Sequence, residues 1–213
     1  FCWPEIDIFS EALRGASLIA SPGCNATAAI ISIYPLAYTK KISYPVVIDV
    51  KAGSSEAGAK PTPWDHHPER ASSTRPYSPK GHRHVAEVLQ LLREFGESDD
   101  RVSLIPHAVP IVRGVLSSTH LYIDIDEQEL VKIYVERYAG SPFIRILWGS
   151  PTPYPDPKNL VGTNIADIGF AVEERARRVS IFVALDNLGK GAAGQALQAF
   201  NISLGIDERE GLW

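Results

Sequence analysis

The sequence predicts an α+β domain built on a largely antiparallel sheet. Three observations carry that prediction. Segments with a helical apolar period are interspersed with extended apolar runs. The extended runs are long, and neighbouring ones are often joined with no helix between them. No internal repeat organises the chain. A succession of strand–helix–strand units would instead read as a parallel sheet.

The elements follow in order. Ser21-Pro22-Gly23 is a turn, and residues 24 to about 34 read as a small-residue helix that stops near Pro35. Asn25 and Thr27 suit its N-terminus. Residues 46–50 form a strand. A loop rich in Gly, Ser, Pro and charge then runs from Gly53 to about Arg83. Loops of such length inside a domain are functional or disordered. The histidines here (His66, His67, His82 and, at its end, His84) with Trp64 and Tyr77 argue against plain disorder. Val85, Val88, Leu89, Leu92 and Phe95 share one helical face, which predicts a helix over 84–95 closed by Gly96. Strands are expected at 102–105 and 109–122. Asp126 followed by Glu129 is a capping arrangement for a helix to about Tyr138, closed by Gly140. Further strands are read at 143–148, 164–172 and 179–185, and a last helix at 195–204.

Bulk properties narrow the class. With 213 residues and 45% hydrophobic content, the chain can bury a core for one domain, or one domain and part of another. The charge is 21 − 25 = −4, without a basic block, which argues against nucleic acid or an anionic membrane as partner. The longest apolar runs, such as 28–33, are too short to span a bilayer. Cys2 and Cys24 are too few for a disulfide framework and read as free thiols in a reducing, cytoplasmic setting. The opening Phe-Cys-Trp and the lack of methionine predict a piece of a longer protein.

Four constellations could carry chemistry. In SPGCNATAAI (21–30), Cys24 opens a helix, where the macrodipole and free N–H groups favour a thiolate and could hold an oxyanion. The bland reading is a buried core thiol. In GHRHVAE (81–87), His82 and His84 stand at a helix start with Glu87 one turn on. A cysteine nucleophile needs such a histidine, and a carboxylate can orient it. A metal site from His82, His84 and Glu87, with His66, His67 or Glu69, is the rival, though the spacing fits no specific zinc motif. GKGAAG (189–194) is a literal G-x-G-x-x-G, but too little chain follows for a second strand, so no independent dinucleotide unit is read here. Finally, Lys60, Arg70, Arg75, Lys80, Arg83 and Arg113 would suit an anionic substrate such as a phosphate.

Taken together, SPGCNATAAI (21–30), KAGSSEAGAK (51–60), RPYSPKGHRHVAE (75–87), PHAVPIVRG (106–114), GTNIADIGF (162–170) and DNLGKGAAGQALQAFN (186–201) resemble the N-acetyl-gamma-glutamyl-phosphate reductase family, in the aspartate-semialdehyde dehydrogenase group. They follow the family's order and cover nearly the whole chain. HHPER with RPYxxxGHRH looks more like the branch of LysW-aminoadipate or LysW-glutamate phosphate reductases, whose substrate hangs on a small acidic carrier protein. The resemblance implies a catalytic domain like that of glyceraldehyde-3-phosphate and aspartate-semialdehyde dehydrogenases, a mainly antiparallel sheet with helices on one face.

It also implies roles. Cys24 is the catalytic cysteine and His82, 82 − 24 = 58 residues on, the acid/base, with His84 and Glu87 in support. Asn187 contacts NADP near the nicotinamide, and Gly53, Ser54 and Ser55 line that side. Here the chain departs, with Ser54-Ser55-Glu56 for the bacterial Val-Ser-Gly and Ala59-Lys60 for an arginine. Lys60, Arg75, Arg83 and Arg113 are weaker substrate candidates, and no metal is expected. The implied reaction is NADP(H)-dependent reduction of an acyl phosphate to a semialdehyde through a cysteine thioester, in lysine or arginine biosynthesis, by a homo-oligomer (dimer or tetramer).

Residues 1–20, with Phe1-Cys2-Trp3-Pro4-Glu5 resembling the family's YGLPE motif, would be the junction with an absent NADP-binding Rossmann domain. Residues 21–186 would be the catalytic and dimerisation domain, and 187–213 the helix returning to the absent domain. Free N-acetyl-gamma-glutamyl phosphate is the alternative substrate. A Cys-His hydrolase or acyltransferase without nucleotide, and a non-catalytic interaction domain, are the other classes.

Overall fold

Every residue from 25 to 37 is buried in the helix that begins at Cys24. A helix that is apolar on all sides must sit inside the domain rather than on it, and the architecture is arranged around this one. A computed structural model describes residues 6–212 apart from 61, 64 and 99. The readings of Cys2, of the segment 1–5 and of Trp64 lie outside these residues.

The first helix, α1, spans Ile6–Leu13. The central helix α2 (Cys24–Tyr38) leads into β1 (Val46–Ala52), a 3₁₀ turn at Ser54–Ala57, a four-residue helix α3 (His67–Arg70) and a two-residue strand β2 (Arg75–Pro76). Then come α4 (His84–Glu94), β3 (Val102–Ala108), β4 (Val115–Tyr122), α5 (Glu127–Tyr138), β5 (Ile144–Ile146), β6 (Ala166–Glu173) and β7 (Arg178–Leu185). A π-helical turn at Gly189–Ala193 runs into α6 (Gly194–Ser203). The seven strands form one sheet in the order β2-β3-β1-β4-β7-β6-β5. Four neighbouring pairs are antiparallel, while β1–β3 and β5–β6 are parallel.

Register places the apolar residues on one face. Ile48 stands opposite Thr119, Thr119 opposite Ile181 and Ile181 opposite Phe170. Helix α2 lies on that face, its Ser32 hydroxyl 2.6 Å from that of Thr119. Helix α4 packs on α2 and β3, and α5 covers β5 and β6, with Tyr134 stacked edge-on to Phe170 at 4.8 Å. The predicted α+β class, the mainly antiparallel sheet and the one-sided helical layer are therefore those observed. No helix among the described residues is long and apolar enough to cross a membrane.

Three readings need correction. Helix α2 does not stop near Pro35 but continues to Tyr38 with the proline inside. A proline removes the N–H that would bond the carbonyl four residues earlier. That carbonyl, on Ile31, instead accepts a hydrogen bond from the Tyr138 hydroxyl at 2.7 Å, and the next, on Ser32, accepts one from Tyr134. Residues 109–114, read as strand, form a loop because they turn to pair with the segment after β1. Ser54 N–H donates to the Ile111 carbonyl and Ser55 N–H to that of Val112, each at 2.9 Å. Helix α1, which was not read, is held by contacts nearly two hundred residues away, Leu13 packing with Ala199 and Ile202 of α6.

The Tyr138 bond carries a prediction. Tyr138→Phe leaves a buried Ile31 carbonyl without a partner, so stability should fall by about 1–3 kcal/mol, read as a lower urea midpoint with an unchanged slope. An unchanged midpoint would refute this account of how α2 tolerates Pro35.

Candidate active site

Cys24 is the first residue of α2, half-buried, with Gly23 as the helix N-cap. Its sulfur lies 3.6 Å from Asn25 Oδ1. Two glycines make its surroundings close-packed. A Cβ on Gly23 would come within 2.1 Å of His84 Nε2, and one on Gly191 within 2.6 Å of Cys24 Cβ. Only a residue without a side chain fits at either point. GKGAAG thus has a packing role: its π-helical turn backs the cysteine.

His84 is buried, and its ring fills the space beside Gly23. His82 stacks edge-on to it with centroids 4.6 Å apart, and Tyr77 meets His82 at 5.8 Å. Glu87 reaches back across α4 and accepts the Gly23 N–H at 2.9 Å, while its other oxygen stays 3.9 Å from His84 Nε2. The carboxylate therefore braces the cysteine turn by a hydrogen bond and faces the imidazole only at ion-pair range.

The structure adds groups that sequence spacing did not single out for this site. Tyr77 hydroxyl donates to Glu56, and Glu56 lies near enough to Cys24 to raise the thiol's pKa. Arg70, almost fully buried, donates to the Ala52 carbonyl; burial raises the Glu56 pKa, partly offset by the Tyr77 hydroxyl and then by the Arg70 charge. Tyr77 was visible in the sequence as a sign against plain disorder, and Glu56 as part of the departure from the bacterial Val-Ser-Gly. Their convergence on Cys24 depends on the fold of residues 53–83.

Electrostatics overturn one expectation. The helix N-terminus was expected to favour thiolate, and the Asn25 and Cys24 N–H groups do lower the Cys24 pKa, yet the thiol is pushed up to about 12, by burial first and the Glu56 charge second, with Arg83 a further and smaller lowering effect. Burial and the Arg83 charge hold His82 below the ordinary histidine range. Burial, then His82, then Arg83, bring His84 down to about 4. Both rings are neutral at pH 7. Burial also raises Glu87, partly offset by the Gly23 N–H.

The remaining predicted residues are placed as follows. Asn187 is buried; its Oδ1 accepts from Gly114 N–H and its Nδ2 donates to Ser55 Oγ, both at 2.8 Å. Ser54 Oγ pairs with His67 Nδ1 at 2.8 Å, and Gly53 lies tight against the Val112 carbonyl. These polar groups are engaged with one another and with the chain. Ser54 and Ser55 line a cleft of about 290 Å³ with Lys60, His66 and His67. Arg113 forks onto buried Asp186, Arg75 sits half-buried on β2 opposite Ala108, and exposed Arg83 approaches His84 Nε2 at 3.4 Å. Among the described residues, no three His, Cys, Asp or Glu side chains are grouped to hold a metal ion.

Residues 24–187 match the family described as semialdehyde dehydrogenase, dimerisation domain. A LysW-L-2-aminoadipate/LysW-L-glutamate phosphate reductase from Sulfolobus acidocaldarius is 51% identical over 210 residues, which is 97% of this chain and 60% of that protein. Its namesake from Sulfurisphaera tokodaii is 53% identical over 209 residues, with the same coverage. The chain thus spans about 60% of the length of these curated relatives. Among solved structures, aspartate semialdehyde dehydrogenase II from Vibrio cholerae superposes with a TM-score of 0.70 at 16% identity, over 93% of this chain and 66% of that one. A probable aspartate-semialdehyde dehydrogenase from Pseudomonas aeruginosa gives 0.70 at 18% identity, over 93% and 67%.

The buried histidine makes a pH prediction. Folded His84 resists protonation down to about 4, whereas in the unfolded chain it takes a proton near pH 6.5. The unfolded state therefore binds more protons between these values, and stability falls as pH drops from about 6.5 towards 4, by up to roughly 3 kcal/mol from this group. In His84→Gln, the gap in urea midpoint between pH 7 and pH 4.5 should shrink; an unchanged gap would contradict the burial of a neutral imidazole.

Proposed function

The chain belongs to the semialdehyde dehydrogenase dimerisation-domain family, and from that premise we propose that it is the catalytic and dimerisation part of an NADPH-dependent acyl-phosphate reductase. The substrate is aminoadipyl or glutamyl phosphate carried on LysW, and the product a semialdehyde for lysine or arginine biosynthesis in the cytoplasm. The observation that carries this reading is identity of 51% and 53%, over 97% of the chain, to reductases named for those substrates. The solved-structure likenesses support the fold alone.

The site supports a cysteine mechanism. Cys24 Sγ attacks the acyl carbon, the carbon–oxygen bond to phosphate breaks, and a thioester remains. Reduction of the thioester and release of the aldehyde return the thiol. NADPH supplies the hydride when bound to the whole protein, and no contact here is assigned to it. The first-turn N–H groups of α2 face the carbonyl oxygen as it gains charge.

Geometry separates the histidines. Buried His84 has its ring against Gly23 and serves as a wedge that positions that turn. His82, less buried and neutral at pH 7, takes the acid/base role. Lys60, at the rim of the adjoining cleft, and Arg83 offer charge to an anionic substrate. Arg113, paired with Asp186, is better read as a loop anchor.

We further propose a homo-oligomer formed through the sheet face that α2, α4 and α5 leave uncovered, where Val47 and Tyr122 are 38% and 58% exposed. The family's description as a dimerisation domain supports this.

In the whole protein, Cys24→Ser and Cys24→Ala should lower phosphate-dependent oxidation of the semialdehyde by at least about 10⁴-fold. His82→Asn should lower it about 10²–10⁴-fold. Activity surviving either cysteine change would sink the mechanism. Equal rates on LysW-linked and free N-acetylglutamyl phosphate would sink the carrier reading alone.

A further inference from the structure

Lys190 and Asp7 form an ion pair whose side chains are both 0% exposed. Lys190 also donates to Gln198 Oε1 at 2.9 Å, which accepts from Asn164 Nδ2 at 3.0 Å, while Gln198 Nε2 donates to Glu208 at 2.8 Å. Nothing in the proposed chemistry uses this pair. Stability is a weak reason for it, since a buried ion pair is often no better than apolar residues of the same volume. Its place in the fold is more informative.

Lys190 lies in the π-helical turn between β7 and α6, where Gly191 N–H bonds the Asp186 carbonyl at 2.9 Å and Ala193 N–H that of Leu188 at 3.2 Å. Such turns carry an extra residue and recur at functional sites. Here the turn sends consecutive residues to opposite partners. Lys190 points to Asp7 of α1, and Gly191 packs against Cys24. The helix that follows places Gln195 Nε2 3.3 Å from Ser21 Oγ and 3.4 Å from Thr27 Oγ1, on either side of the cysteine in sequence.

We propose that Lys190 is a positioning residue: its buried pair with Asp7 holds the π turn against Cys24, so that α1 sets how tightly the nucleophile is packed. The consequence for catalysis rests on reading Cys24 as the nucleophile. Alkylation reports on the thiol whether or not reduction follows, so the two ideas fail separately.

The test is site-resolved alkylation of Cys24 by iodoacetamide, followed by peptide mass spectrometry in the whole protein. Replacing Lys190 alone would strand a buried carboxylate, so the variant is Asp7→Asn with Lys190→Met. With the clamp gone and the thiol less buried, alkylation at pH 8 should rise about tenfold and its pH profile move about one unit lower. A profile superimposable on the parent's, with only the unfolding midpoint altered, would overturn the proposal. Native-state hydrogen exchange on the unaltered protein gives a check that needs no variant. Amides of α1, Gly191 and Thr27 should open as one unit; free exchange of α1 beside a protected Gly191 would equally overturn it.

Discussion

Burial of α2 on every side is the constraint on which the rest depends. The sheet lies beneath it, α4 and α5 flank it, and the π turn closes its N-terminal end. A helix so enclosed cannot shift without disturbing the core, because protein interiors are packed as densely as crystals. Its first residue therefore holds one position relative to His84 of α4 and to His82 just before that helix. Even Pro35 serves this rigidity, since two tyrosines of α5 supply donors to carbonyls in the turn that the proline leaves short.

The same enclosure sets the chemistry of the thiol. A helix N-terminus stabilises a negative charge by roughly 0.3–2 kcal/mol. The rise of Cys24 to about 12 from an ordinary 9.0 corresponds to about 4 kcal/mol against ionisation. Burial, aided by Glu56, wins. In the proposed mechanism the resting cysteine is a protected thiol whose reactivity would come from moving a proton when the substrate arrives. The two neutral histidines differ in place. His84 is wedged beside Gly23; His82, stacked on it and less buried, is the group proposed for proton transfer.

Much of this was legible in the sequence because it rests on short-range rules. The apolar period of 84–95, the Asp126 cap and the long extended apolar runs each encode their own element, and Asp126 does accept the Glu129 N–H. Cys24 at a helix start and the histidine pair were visible for the same reason. What was hidden depends on contacts distant along the chain. A proline reads as a helix stop unless Tyr138 is known to lie beside it. GKGAAG could be set aside as an independent dinucleotide unit from the sequence, but its packing role shows only once Gly191 is known to touch Cys24. The sign of the thiol's shift could not be read at all, because the helix start is local and the burial is not. Glu56 and Tyr77 needed the fold of a long loop to bring them to the cysteine.

The central claim is that Cys24 carries the acyl group. Its most direct measurement is to mix the whole protein with the carrier-linked acyl phosphate in the absence of any reductant, quench in acid and map the adduct by mass. The account predicts one acyl group on the peptide containing Cys24, released by hydroxylamine and by added reductant. An adduct on another residue, or turnover with Cys24 never modified, would contradict it.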